Sequence, residues 1–66
     1  MEQHGTTLDE KAAAKFLGLA VQSLRNRRSR RLGPPYVKIG GRVLYLLADL
    51  QDFLKKHRID PEREAR

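Results

Sequence analysis

A chain of 66 residues without cysteine is too short for a second core and holds neither a disulfide framework nor a thiolate metal site. Its longest apolar runs are a few residues, far below the ~20 that a membrane-spanning helix needs, and the polar start from Met1 to Thr7 has no secretory pattern. A net charge of +6 is unevenly spread: nine basic residues and no acid lie between Lys11 and Ala48, with all eight acids outside that window.

In chain order, residues 1–7 show no periodicity and are expected to form a flexible N-terminus. His4 stands alone without a second ligand at metal spacing. The first helix has two available starts. Thr7 and Glu10 make a T-x-x-E capping box, whereas Asp9 can cap with Leu8 and Ala13 at the staple positions. The second start is favoured. Ala13, Phe16, Leu17 and Ala20 fall at i, i+3, i+4 and i+7 on one apolar face, and Gly18 stands where a left-handed residue ends a helix near Leu17. Leu19 tucks under the turn.

A second helix is expected from about Val21 to Arg30. Turning ~100° per residue from Leu24 as the buried direction sends Ala20, Val21 and Leu24 inward. Gln22, Asn26 and Ser29 then face outward, with Ser23, Arg25 and Arg30 on the shoulders. Arg27 and Arg28 lie nearer the core, where their stems pack and their heads reach water or phosphate. Gln or Asn can make two bonds to adenine and Arg two to guanine in a major groove. A cationic centre of this kind attracts a polyanion, and nucleic acid is the commonest. An anionic membrane is disfavoured, because the arginine helix lacks a broad aromatic or leucine face.

Leu32-Gly33-Pro34-Pro35 must turn, since two prolines cannot continue a helix. YVKIGGRVLY then reads as a hairpin with Gly40-Gly41 at its tip. A two-residue loop would pair Ile39 with Arg42 and Val37 with Leu44. A three-residue loop, Gly40, Gly41 and Arg42, pairs Ile39 with Val43 and Val37 with Tyr45, gathering four apolar residues on one face. The three-residue loop is expected, with Lys38 and Arg42 projecting outward near the tip. A third helix begins near Asp49, carrying Leu50, Phe53, Leu54 and His57 at helical spacing. Residues 59–66 are short of apolar groups and broken by proline, and are expected to be a disordered tail. The domain proper is thus 8–58: mostly α with a small β-hairpin, a winged helix-turn-helix.

The order S-L-R-N, G-P-P-Y-V-K-I-G and A-D-L-x-x-F-L, over about Leu8 to Leu54, resembles small phage excisionase-type proteins. Their DNA-binding domain is similar to that of mercury-resistance-type (MerR-like) regulators. The resemblance implies that the second helix enters the major groove and that the wing contacts backbone or an adjacent minor groove. It implicates Gln22, Ser23, Arg25, Asn26 and Arg28 on the helix, and Lys38 and Arg42 on the wing; the helical pattern adds Arg30. Ala20 stands where such proteins usually have a serine N-cap, Arg27 where tryptophan is common and Arg31 where glycine is common. Leu44, Leu46 and Leu47 replace residues that are frequently basic, and the outward ones suggest a protein contact.

The expected function is therefore sequence-selective binding of double-stranded DNA in the cytoplasm, as an architectural factor in site-specific recombination beside an integrase. The alternative is a small MerR-like transcriptional regulator. An RNA-binding module is weakened by the lack of repeated stacking aromatics, and a protein-interaction adaptor rests on the leucines alone. No nucleophile with a base, phosphate loop or metal cluster can be assembled, so no catalytic residue, cofactor or metal is expected. Cooperative self-association on DNA is expected from the short reach of one recognition helix and one wing.

Overall fold

The structure, a computed structural model, describes residues 6–61. Most of the expected flexible terminus and tail, residues 1–5 and 62–66, lies outside the described residues. The elements are β1 (Thr7–Asp9), α1 (Glu10–Leu17), α2 (Val21–Ser29), β2 (Val37–Ile39), β3 (Arg42–Leu46) and α3 (Leu47–Lys56). Three helices thus pack on one antiparallel sheet of order β1-β3-β2. The fold is a winged helix-turn-helix with β2 and β3 as the wing.

Strand β1 replaces the last part of the flexible terminus expected at residues 1–7. Thr7, Leu8 and Asp9 oppose Leu46, Tyr45 and Leu44, and the Thr6 carbonyl accepts from the first N–H of α3, at Leu47, at 3.1 Å. A polar-apolar-polar triplet is too short to show alternation. Only the open edge of β3 makes it a strand.

Asp9 leaves that strand as the N-cap of α1, its carboxylate accepting from Ala12 N–H at 2.8 Å. Gly18, at φ 74°, closes α1 with two bonds, Gly18 N–H to Lys15 O at 3.1 Å and Leu19 N–H to Ala14 O at 2.9 Å. This is the Schellman arrangement. The same pair of bonds ends α2, from Arg31 N–H to Arg28 O and from Leu32 N–H to Arg27 O. There the left-handed residue is Arg31, at φ 61°. A side chain in that region costs roughly 1–2 kcal/mol. At the other end of α2, Ala20 is extended like an N-cap but offers no side-chain bond. Ala20→Ser is expected to add about 1 kcal/mol of stability. Arg31→Gly should add up to about 1 kcal/mol after the larger unfolded-state entropy of glycine is subtracted. Urea unfolding of each single variant checks both, and an unmoved midpoint would refute the corresponding assignment.

The hairpin corrects the expected register. Val37, Lys38 and Ile39 oppose Leu44, Val43 and Arg42, so the loop is the two-residue Gly40-Gly41, not a three-residue loop. Gly40 has φ 60° while Gly41 stays outside the positive region, which suits a type II′ turn, whose twist matches that of the strands. The expected pairing of Val37 with Tyr45 and Ile39 with Val43 gives way to this turn chemistry. Val43 and Tyr45 therefore face the helices, together with Leu8, while Val37, Ile39, Leu44 and Leu46 face away. Lys38 and Arg42, expected to project together, point to opposite faces of the wing, and both are exposed.

The core is Ala13 and Ala14 of α1, Leu24 of α2, Tyr45 of β3 and Leu50 of α3, ringed by Leu8, Leu17, Leu19, Val21 and Val43. The apolar stripe of α1 is rotated from its expected position: Ala14 is buried and Phe16 is 40% exposed. Ala20, expected inward, is exposed. Helix α3 starts two residues before the expected Asp49, which lies in its first turn. His57 closes it, its ring Nδ1 3.0 Å from the Phe53 carbonyl.

Candidate nucleic-acid interface

The outward surface of α2 exists because Leu24 alone on that helix is fully buried. Gln22, Ser23, Arg25, Asn26 and Arg30 are all exposed. Gln22 Nε2 donates to Asn26 Oδ1, one turn on, at 3.2 Å, so two amides stand side by side on the outer face. Ser23, Asn26 and Arg30 line one shallow depression with Arg27 and Leu32. These side chains offer donors and acceptors together, the mixture that reading base edges requires.

Arg28 is placed differently from its expected neighbours. Its side chain is only 22% exposed, and Nη1 donates to Glu10 Oε2 at 2.7 Å and to the Tyr45 hydroxyl at 3.2 Å. Its guanidinium carbon also lies 5.7 Å from the centre of the Tyr36 ring, within cation–π range. The helical angle had put this residue nearer the core, and here its charged head is drawn in as well as its stem. Arg28 therefore ties α2 to α1 and the sheet.

Glu10 is the residue that sequence reasoning missed. The sequence offers it only as the capping-box partner of Thr7, and Asp9 takes the cap. Its carboxylate instead bridges two arginines, accepting from Arg28 and, through Oε1, from Arg25 Nε at 3.0 Å. The Arg28 hydrogen bond, with help from Arg25 and against a desolvation penalty, holds the Glu10 carboxyl below the ordinary glutamate range. The hydrogen bond to Glu10 likewise raises Arg28 above the usual arginine value, with Tyr45 adding to it. The stabilisation from Glu10 is therefore present above the unfolded-state pKa and is lost as pH falls through the lowered folded value. The signal available in the sequence was position alone: Glu10 is the acid that borders the acid-free window on its N-terminal side.

The wing tip stands beside α2. Gly41 and Arg42 line one side of a shallow cleft whose other side includes Val21, Arg25 and Glu10. Lys38 is exposed on the opposite strand. Among the described residues, no group of three His, Asp or Glu side chains is placed to hold a metal ion. No helix among them is long and apolar enough to cross a membrane.

A family model described as a helix-turn-helix domain matches residues 7–58. The chain belongs to the helix-turn-helix domain family. That family includes small DNA-binding and excisionase-like proteins, and its members are generally not enzymes. The match runs from the first residue of β1 past the end of α3, so sheet and wing are parts of the helix-turn-helix unit. Membership implies DNA as a partner. No curated protein matches this helix-turn-helix chain.

Proposed function

We propose that this protein binds double-stranded DNA sequence-selectively, with α2 in the major groove and the wing on flanking backbone. It would act, like an excisionase, as an architectural factor that directs site-specific recombination beside an integrase in the cytoplasm. The observation that carries the binding reading is the exposed row Gln22, Ser23, Arg25, Asn26 and Arg30 on α2, a helix that itself contains no acid. The recombination role rests on the resemblance of S-L-R-N, G-P-P-Y-V-K-I-G and A-D-L-x-x-F-L to excisionase-type proteins. Excision by a neighbouring integrase, assayed with and without this protein, tests it. Unchanged excision together with altered transcription from an adjacent promoter would favour the MerR-like regulatory role instead.

Selectivity and affinity are expected to divide between the two elements. Asn26→Ala should relax base preference at a defined position, by about 1–3 kcal/mol if the amide reads adenine with two bonds. Lys38→Ala should weaken all sequences alike, because a phosphate contact carries no base information. Binding to a panel of single-base site variants separates the two. A wing change that alters the preferred sequence while Asn26→Ala does not would reverse the assignment.

Cooperative assembly belongs to the same reading. Val37, Ile39, Leu44 and Leu46 share the sheet face turned away from the helices, and Ile39 is 61% exposed. That face supports a modest contact between neighbours on DNA, effective through local concentration. A monomer in free solution that fills tandem sites cooperatively is expected, as read by sedimentation and by footprinting on one, two and three sites. Independent filling would count against it, as would a stable dimer at micromolar concentration without DNA.

A further inference from the structure

The bond between Arg25 and Glu10 bears on which base this surface reads. Arg25 uses its Nε to reach Glu10 Oε1 at 3.0 Å. That nitrogen lies at the root of the guanidinium fork, so the two terminal nitrogens take no part in the bond. The Arg25 side chain is 51% exposed, and neither terminal nitrogen has a hydrogen-bond partner among the side-chain bonds of the described residues. Glu10 is itself held: its second oxygen accepts from Arg28 at 2.7 Å, and Arg28 is anchored in turn on the Tyr45 hydroxyl at 3.2 Å. Tyr45 is fully buried. The orientation of an exposed arginine on the recognition helix is thus referred, through Glu10 and Arg28, to the core.

Such a chain matters because a free arginine samples many rotamers, at roughly 2 kcal/mol of entropy. Two parallel bonds to guanine O6 and N7 require one orientation of the guanidinium plane. A bond at Nε sets that plane and leaves free the pair of donors that the base edge needs. A phosphate contact specifies no base, so at such a contact a carboxylate would chiefly subtract attraction.

We propose that Glu10 is a specificity-determining positioning residue, which presents the terminal nitrogens of Arg25 to a guanine in the major groove of the recognised site. The proposal rests on the DNA-binding reading above. It makes the role of Glu10 opposite in sign for the two kinds of binding. Its carboxylate strengthens discrimination at one base pair and weakens attraction to DNA in general.

The test begins with a preferred site selected from a random duplex library with the wild-type protein. Binding is then measured to that site, to the same site with each guanine replaced, and to unrelated duplex. Glu10→Gln is expected to lower the discrimination at one guanine about 5- to 20-fold, within the range of a bidentate pair, while affinity for unrelated duplex holds or rises. Arg25→Lys, exposed and charge-preserving, should lose discrimination at the same guanine, and Glu10→Gln should then add nothing further. Equal loss on all duplexes would mark a merely structural role and overturn the proposal. Unchanged discrimination in Glu10→Gln, or a loss at a guanine that Arg25→Lys does not affect, would also overturn it. Should Glu10→Gln unfold, Glu10→Asp, which keeps the charge but shortens the reach, replaces it under the same criteria. A wild-type protein that selects no site would instead defeat the DNA-binding reading itself.

Discussion

Raising monovalent salt from 50 to 200 mM is expected to weaken duplex binding by roughly 250- to 1,000-fold, a log–log slope of about −4 to −5. Arg30, Arg31, Lys38 and Arg42 are exposed, and each phosphate neutralised releases close to one condensed counterion. Arg25 and Arg28 add little to the slope, because Glu10 already engages both charges. Arg27 is half-buried and accounts for the steeper end of the range. Titrations at four or more salt concentrations give the slope directly. A slope near zero, or equal binding to neutral polymers, would remove the electrostatic basis of the interface.

Tyr45→Ala is expected to cost about 3–5 kcal/mol, the usual range for deleting a buried aromatic ring. Tyr45 is fully buried on the central strand, shares one core cluster with residues of α1, α2 and α3, and accepts the Arg28 bond that anchors α2. Typical stabilities per residue put a domain of this size at only ~3–10 kcal/mol. The variant should therefore be partly or wholly unfolded at 37 °C. Tyr45→Phe keeps the ring and loses the hydroxyl, so about 1 kcal/mol is expected. Thermal and urea unfolding followed by circular dichroism measure both. A Tyr45→Ala protein with wild-type stability would mean that the sheet and helices do not share this core.

The sequence by itself determined the helix-turn-helix and much of the surface it displays. Asp9, Gly18 and Leu24 act within a turn or two of their own positions, so cap, turn and buried direction follow from spacing and local sterics. The outward set Gln22, Ser23, Arg25, Asn26 and Arg30 follows from that single buried direction. The hairpin was legible as a hairpin, but its register was not. Apolar pairing favoured one loop length, and the conformation open to Gly40 in a two-residue turn decided for the other. Strand β1 could not be read from Thr7, Leu8 and Asp9, because three residues carry no period and their partner is β3, far along the chain. The same distance hid the Glu10 cluster. Glu10, Arg25, Arg28 and Tyr45 meet only when α1 and α2 fold onto the sheet, since a carboxylate between two arginines is favourable through proximity and geometry. Spacing along a helix sets which way a side chain points, but which charge waits there is decided by the packing of one element on another.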